Sequence, residues 1–407
     1  MISDINKNNT LEKPKYLLGL NVTLLKMSGL LPINGKTHIK HTILLYLTAF
    51  FVITQYIEIY ITRTDVLKLL RNIKYSMLSS VIVVKATSFL FWQKNWISII
   101  DFANEVNLER YKSEDLISIK INENLVKHCK FITKFYCYLT VCTIIMVIIH
   151  PAAEYYLTYA KEESVYREDL IDDTEKYILI APSWVPFDRN SLIVYLGQFS
   201  YQAYTTIHAG IIMATFDTCA VCIMVFFRGE FELLRIDCQN LFGTVDAPAT
   251  EEDARFQMIK CHERYNDLMK YVKLFDSCLS PIMLLYVIVC SVMLCATAYQ
   301  LTVETNAMQK FITAEYLIFG VSQLFMFCWH SNEVLYVSKD LTLGPYESMW
   351  WTRSVSEQKD ISILTDQFNK EIVFSAGPFT SITVATFISI LKGAYSYYTL
   401  LSQSEED

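Results

Sequence analysis

The chain has 407 residues with a formal net charge of −7, and 53% of the residues are hydrophobic. A mean hydropathy of +0.27, with long apolar runs along the whole length, argues against a soluble protein and favours a polytopic helical membrane protein. The sequence has no basic stripe for nucleic acid and no phosphate loop, zinc-protease motif or nucleophile elbow, so no enzymatic activity, cofactor or metal site is predicted.

The first apolar segment, 15–33, is too short and too broken to cross a bilayer. It predicts an interfacial helix that ends at Gly29 and Pro32. Seven longer apolar runs follow, and they are the predicted transmembrane helices of an all-α protein: 41–61, 69–92, 131–150, 192–227, 274–301, 311–334 and 380–401.

The fourth run is long enough to raise a question about topology. Its 36 positions would form a helix of about 54 Å, well beyond the ~30 Å hydrocarbon core. Two spans would also fit, and they would move the C-terminus to the other side of the membrane. Because no proline or turn cluster interrupts the run, we predict one helix that projects from the bilayer.

The distribution of Lys and Arg predicts the orientation. With a cytoplasmic N-terminus, the inside segments carry 23 of these residues and the outside segments carry 6. The positive-inside rule therefore predicts a cytoplasmic N-terminus and an extracellular C-terminus. The longest outside segment, 151–190, is acidic, and it is either a solvated loop or a lid over a pocket.

The organisation of the chain is predicted as four regions. They are a cytoplasmic N-terminus with its interfacial helix (1–37), a six-helix ligand-binding bundle with cytoplasmic extensions (38–334), a cytoplasmic anchor (335–375), and a seventh helix with an acidic extracellular tail (376–407). The eleven cysteines fall in apolar runs or predicted cytoplasmic loops, so no structural disulfide is expected.

Ionisable side chains within predicted spans are functional candidates. Lys85 in the second span and Asp217 in the fourth are both expected in the inner half, where they could pair. Lys392 lies in the last span, and we expect it to face a neighbouring helix, because a lysine aimed into a pore would oppose cation flow.

The last predicted helix is not a plain apolar anchor. At helical spacing one face is small and polar: Thr386, Ser389, Gly393, Ser396, Leu400 and Gln403. The other face is apolar: Phe387, Leu391, Ala394, Tyr398 and Leu401. Such a face is typical of a helix that packs tightly on a neighbour or lines water.

A G-protein-coupled chemoreceptor is the main alternative for a seven-span chain. Two Glu-Arg-Tyr tripeptides, 109–111 and 263–265, precede the third and fifth spans instead of following the third. The Asn-Pro-x-x-Tyr motif of the last span and an outside cysteine pair are absent from the sequence. Secondary transporters usually carry internal repeats, and none is visible.

The sequence resembles the insect odorant receptor family over nearly its full length. The order and spacing of the following segments carry the resemblance: Gly29-Leu30-Leu31-Pro32, Lys85, Trp184-Val185-Pro186-Phe187-Asp188, Cys328-Trp329, Ser338, Tyr346, Trp350 and Ala376-Gly377-Pro378-Phe379, then Phe387, Leu391-Lys392 and Ala394-Tyr395-Ser396-Tyr397. The related gustatory receptors end in Thr-Tyr, five residues and Gln-Phe. Here Ser396-Tyr397 and Gln403-Ser404 depart at the first and last positions, which favours the odorant branch over a gustatory-type channel.

The resemblance implies a tuning subunit of an odorant-gated, nonselective cation channel in the plasma membrane of sensory-neuron dendrites. Four subunits, including an obligate co-receptor, would surround one pore that is lined by the last helix and embedded in lipid. The hydrophobic gate then falls near Leu400, with Ser396 in the pore lining and Gln403 just outside the gate. Ser404 occupies an outer gate position where the co-receptor is apolar.

The family's ligand pocket lies in the outer half of the bundle, among spans two, three, four and six. A volatile hydrophobic odorant needs an apolar, aromatic cavity with few polar groups. The candidates for lining it in this chain are Tyr75, Ser79, Met146, His150, Tyr204, His208 and Tyr316. The first six form three i,i+4 pairs, and each pair shares a helix face.

Overall fold

The computed structural model describes residues 17–32, 39–112, 115–162, 179–187, 191–243, 247–304 and 307–403. Within these residues the chain forms eleven α-helices: α1 Gly19–Met27, α2 Ile39–Ile61, α3 Val66–Phe91, α4 Gln93–Lys112, α5 Leu116–Glu162, α6 Leu192–Gln239, α7 Glu251–Val303, α8 Ala307–Asp340, α9 Leu343–Glu347, α10 Val355–Phe368 and α11 Val384–Gln403. A short 3₁₀ helix, Trp350–Thr352, precedes α10. Strands β1 Ser375–Ala376 and β2 Thr380–Ser381 form an antiparallel hairpin before α11.

Helix α6 is the centre of the bundle. All residues from Ile212 to Phe227 are buried, because this stretch is mostly apolar and is surrounded by other helices. Helices α1, α2, α3, α5, α7 and α8 all pack against α6. The fourth apolar run is therefore one uninterrupted helix of 48 residues, as its lack of breaking residues predicted.

Three helices are far longer than a bilayer requires. α5, α6 and α7 have 47, 48 and 53 residues, and at 1.5 Å per residue α7 is about 80 Å long. Their extensions pack with α4, α9 and α10 into a helical assembly that we call the base. Arg264 binds Glu230 at 2.6 Å and also pairs with Asp237 there.

The described residues contain six helices that are long and apolar enough to cross a membrane: α2, α3, α5, α6, α7 and α8. α11, with 20 residues, is also long enough to cross a membrane, and Ser, Thr, Tyr, Gly and Lys residues are interspersed along it. An all-α, polytopic membrane fold is thus confirmed. The orientation of the termini stays a prediction.

Helix α1, the predicted interfacial helix, is packed against the bundle, and its position relative to a membrane stays a prediction. Leu18 and Leu25 are fully buried. The Asn21 side chain donates to the Thr218 carbonyl at 3.1 Å and accepts from the Thr133 hydroxyl at 2.8 Å. These polar contacts to α5 and α6 were not visible in the sequence, because they join residues more than a hundred positions apart.

Lys85 and Asp217 form the ion pair that the sequence left open. The Lys85 Nζ lies 2.6 Å from Asp217 Oδ1, and both side chains are 0% exposed. Tyr136 and Gln323 donate to the other carboxylate oxygen at 2.8 and 2.5 Å. The resulting Asp217 cluster (Lys85, Tyr136, Asp217 and Gln323) joins α3, α5, α6 and α8, and each of its ionised groups is paired, as burial requires.

The hairpin before α11 is tied to α7. The Ser375 backbone N–H and hydroxyl both donate to the Asp276 carboxylate, and the Gly377 N–H donates to the Ser280 hydroxyl at 2.9 Å. Gly377 has φ +66°, a conformation that favours glycine, and a Cβ there would lie 2.7 Å from Leu284. The start of α11 is therefore attached to α7 through this hairpin.

Candidate functional site

A cavity of about 90 Å³ lies within the bundle, between α2, α3, α5, α6, α8 and the segment 179–187. Most of its surface is aliphatic or aromatic, and no charged side chain is among the described residues around it. The lining residues are Thr48, Phe51, Gln55, Tyr75, Leu78, Ser79, Ile82, Thr140, Thr143, Ile144, Val147, Ile180, Ala181, Thr205, Thr206, Ala209, Gly210, Met213, Tyr316 and Phe319. Such a cavity suits a small, uncharged, largely apolar molecule.

Two tyrosines from α3 and α8 form one wall. The rings of Tyr75 and Tyr316 pack edge to face, with centroids 5.5 Å apart. The Nζ of Lys74 lies 5.2 Å from both ring centroids and donates to Gln300 and Thr313. The lysine charge is thus engaged behind the aromatic wall and does not line the cavity.

Several hydroxyl groups of the cavity already donate within the protein. This local bonding leaves the wall less polar than its composition suggests, since those protons are already used. Three donate to carbonyl oxygens of their own helices: Thr48 to Leu44 at 2.9 Å, Thr140 to Tyr136 at 2.9 Å and Thr205 to Tyr201 at 3.0 Å. The Thr143 hydroxyl donates to the Glu315 carboxylate at 2.6 Å.

Gln55 of α2 differs from these threonines. Its side chain is 0% exposed and lines the cavity. Neither its Nε2 nor its Oε1 has a hydrogen-bond partner anywhere in the described part of the chain. An amide with both atoms buried and unpaired is costly, and it is uncommon in folded proteins.

A short extended segment covers one end of the cavity. Gln202 holds it at both backbone groups of one residue: its Oε1 accepts from the Ala181 N–H at 3.1 Å, and its Nε2 donates to the Ala181 carbonyl at 2.9 Å. The same Nε2 lies 2.9 Å from the Ser183 hydroxyl, and the Trp184 N–H donates to the Thr54 carbonyl at 3.1 Å. We call residues 179–187 the cap.

The floor of the cavity is the Asp217 cluster. Each of its four members lies three or four residues from a lining residue on the same helix, which is about one turn: Lys85 and Ile82, Tyr136 and Thr140, Asp217 and Met213, Gln323 and Phe319. The cluster therefore links four of the five helices that surround the cavity.

The structure brings three of the seven predicted pocket residues to this cavity. Tyr75, Ser79 and Tyr316 line it. Met146, His150, Tyr204 and His208 do not: Tyr204 is 52% exposed, and the His208 ring instead contacts the Thr48 hydroxyl at 3.2 Å.

On α6 the reason is a shift of one residue. The cavity-facing positions of α6 are 205, 206, 209, 210 and 213, and those of α5 are 140, 143, 144 and 147. One residue is a rotation of about 100° on a helix, so 204 and 208 face away from the cavity. On α5, residue 150 shares a face with 143, two turns earlier, but lies beyond the last lining residue, 147. The i,i+4 spacing identified residues on a shared face but could not say which face points inward.

No residue of α2 is among the predicted pocket residues. Thr48, Phe51 and Gln55 follow helical spacing and bring one face of this helix to the cavity. The available signal was Gln55 itself, an uncharged amide in the middle of an apolar run, where polar side chains usually have a purpose.

The last helix shows the two faces that its sequence predicted. Phe387, Leu391 and Ala394 pack against the bundle, and the Phe387 ring lies 5.4 Å from Phe325 of α8. On the opposite side Ser389 and Ser396 are exposed.

The remaining predicted residues of α11 and the tail have the following environments. Lys392 is exposed within this chain, and the expectation that it faces a neighbouring helix stays a prediction. A Cβ at Gly393 would meet nothing within 4 Å. Leu400 and Gln403 belong to the helix, where the structure describes only their backbone, and Ser404 lies outside the described residues.

Comparison with known proteins gives a consistent result. Residues 65–395 match the family model described as 7tm Odorant receptor. Odorant receptor 10 of Aedes albopictus is 29% identical over 222 residues, which span 50% of this chain and 57% of that receptor. The odorant receptor coreceptor of Anopheles gambiae is less similar, with 23% identity over 142 residues, which are 35% of this chain and 30% of the co-receptor.

A comparison of structures agrees with these sequence matches. The solved structure of the olfactory receptor OR5 from Machilis hrabei, in complex with eugenol, aligns with a TM-score of 0.78 at 14% identity and covers 95% of this chain and 97% of that one. These matches exclude the G-protein-coupled alternative and agree with a tuning receptor better than with the co-receptor. The chain belongs to the 7tm odorant receptor family.

Proposed function

We propose that this chain is the tuning subunit of an odorant-gated, nonselective cation channel. A volatile hydrophobic molecule binds in the cavity between α2, α3, α5, α6 and α8, and α11 lines the pore. The observation that carries the proposal is the combination of an uncharged internal cavity with a separate helix whose polar face is left exposed by the rest of the chain.

The cavity supports the ligand class. Its aromatic and aliphatic walls suit a molecule that partitions from air or water into an apolar site, and the lack of charged groups among the described lining residues disfavours ions. The structurally similar OR5 was solved with eugenol, a small aromatic molecule of the same general kind. The cap closes the site, so entry requires the cap or the neighbouring helices to move.

The exposed face of α11 supports the pore. An isolated polar face on a membrane helix is costly in lipid, and assembly of four subunits around a central axis would turn it towards water. The partners are then other α11 helices, including those of the obligate co-receptor in a heterotetramer. Leu400 lies in the hydrophobic gate, with Ser396 along the lining, and Gln403 and Ser404 at the outer end.

The orientation completes the assignment. The base lies in the cytoplasm with the N-terminus, and the cavity and the end of α11 lie towards the outside, as the excess of Lys and Arg supports. The assembled channel lies in the lipid of the plasma membrane in the dendrites of sensory neurons.

α8 offers a physical connection between cavity and pore. Tyr316 and Phe319 line the cavity, and Phe325 on the same helix packs against Phe387 of α11. A ligand opens the channel only if it binds the open arrangement more tightly than the closed one. A shift of α8 on ligand binding would reach α11 through this aromatic contact.

The test is current in cells that express the chain together with the co-receptor. A panel of volatiles should evoke inward current, and the current should persist in excised patches without nucleotide. If no volatile evokes current from complexes at the cell surface, or if the response requires GTP, the channel proposal is wrong.

The gate is tested by Leu400→Ser. A polar residue at a hydrophobic constriction favours water, so basal current without ligand should rise several-fold, because such gates close by dewetting. Phe379→Ser is the control, since Phe379 is exposed in the hairpin before α11, outside the proposed pore lining. Equal basal currents in Leu400→Ser and the unmodified complex would remove Leu400 from the gate.

A further inference from the structure

The unpaired amide of Gln55 points to the chemistry of the ligand. We propose that Gln55 is the specificity-determining residue of the cavity and that the ligand is a small neutral alcohol, whose hydroxyl group donates to Oε1 and accepts from Nε2. The inference rests on the proposed odorant-binding function and deepens it from a volatile molecule to a hydroxylated one.

The first argument is energetic. A buried polar atom without a partner costs about 1–3 kcal/mol, and Gln55 has two such atoms within the described structure. A methionine or leucine of similar size would avoid this cost in an apolar helix. The amide therefore fits a site where a bound molecule supplies the missing hydrogen bonds.

The second argument is that several hydroxyls of the lining already donate within the protein. Those of Thr48, Thr140 and Thr205 donate to carbonyls of their own helices. The Thr143 hydroxyl donates to the Glu315 carboxylate at 2.6 Å. A ligand hydroxyl therefore finds in Gln55 both a free donor and a free acceptor on one side chain.

The third argument selects the ligand class. No charged side chain lines the cavity within the described residues, so an ionised acid or amine would lose its hydration without compensation. An ether or an ester can accept from Nε2 but leaves Oε1 unpaired, and a hydrocarbon leaves both atoms unpaired. Of these ligand classes, only a neutral alcohol satisfies both atoms.

The size of the cavity limits the ligand further. Its volume is about 90 Å³. A roughly 150 Å³ apolar cavity is known to hold benzene, so this one suits a molecule no larger than that unless the walls move. A short-chain aliphatic alcohol of about four or five carbons meets both the size and the bonding requirement.

The experiment uses pairs of isomers in which one member is an alcohol and the other is an ether. Butan-1-ol and diethyl ether share one formula, and so do pentan-1-ol and butyl methyl ether. Each is applied to cells expressing the full chain with the co-receptor, and the half-maximal concentration is measured. In parallel, the melting temperature of the purified complex is recorded with each of the four compounds to report binding without channel opening.

The unmodified complex should prefer each alcohol over its ether isomer by about tenfold, which corresponds to ~1.4 kcal/mol. Gln55→Met should reduce this preference to about twofold or less by weakening the alcohol response, while the ether response is retained. Gln257→Met, the same exchange at an exposed position of α7, should leave the preference unchanged. Gln55→Leu provides a second apolar variant if the methionine variant does not assemble.

The outcomes separate the two proposals. If the alcohols stabilise the purified complex more than the ethers but evoke no current, the channel function fails and the assignment of Gln55 stands. If volatiles evoke current but alcohols and ethers act equally, the assignment of Gln55 is overturned while the channel stands. A tenfold preference that persists in Gln55→Met also overturns the assignment of Gln55, because another residue must then bind the hydroxyl of the ligand.

Discussion

The Asp217 cluster and the cavity lie on the same helices, about one turn apart. They differ in whether their buried polar atoms have hydrogen-bond partners. In the cluster, both oxygens of the Asp217 carboxylate accept hydrogen bonds, from Lys85, Tyr136 and Gln323. In the cavity, both polar atoms of Gln55 are unpaired within the described chain. Complete pairing makes the floor rigid, whereas incomplete pairing leaves the cavity ready for a bound molecule.

This contrast suggests that one end of the cavity stabilises the bundle and the other end controls access of the ligand. A fully satisfied buried network has one favoured geometry, so it holds α3, α5, α6 and α8 in register. The cavity is closed on the other side by the cap, which is held largely by a single side chain, Gln202. We expect disruption of the floor to affect folding and disruption of the cap to affect ligand exchange.

Asp217→Ala should have the largest effect. It leaves the Lys85 charge buried without its partner, and breaking such a pair costs about 3–5 kcal/mol. Little complex should reach the cell surface, and the melting temperature of what does assemble should fall. The matched control is the double variant Lys85→Met with Asp217→Leu, which removes both charges and should recover much of the surface expression. A single variant that assembles normally would show that the floor is not a structural requirement.

Gln202→Leu should have an intermediate effect that is confined to the ligand. The cap loses three hydrogen bonds to residues 181 and 183, each worth about 1 kcal/mol net, while the helices keep their packing. We expect about a tenfold faster decay of the current after odorant removal, with near-normal surface expression. Gln198→Leu removes a single bond to Ser183 and should have a smaller effect. Equal decay rates in both variants would argue against a closing role for the cap.

Tyr204→Leu should have the smallest effect and tests the register of α6. Its ring is exposed and lies outside the cavity, so odorant sensitivity should change by less than about twofold. Tyr316→Leu removes a ring that is 6% exposed and packed on Tyr75, and it should shift the preference towards larger ligands. A strong loss of sensitivity in Tyr204→Leu would mean that the ligand occupies a different site.

The sequence predicted the elements far better than the site. Long apolar runs and the lack of a break in 192–227 were enough to predict seven spans and one long fourth helix, because bilayer thickness sets span length. The two faces of α11 also followed from spacing alone. The inward faces of α5 and α6 did not, since helices that are apolar on all sides carry no periodic signal to orient them.

The sequence by itself determined that this chain is a helical membrane protein with a distinct, polar last helix, since composition and periodicity encode both properties locally. Only the tertiary structure decided that Lys85 meets Asp217, that Gln202 holds the cap, and that α2 brings Gln55 to the cavity. The first two contacts join residues 132 and 21 positions apart, and Gln55 meets a wall built from four other helices. The rotation and packing of whole helices set such contacts, and no local pattern in the chain records them.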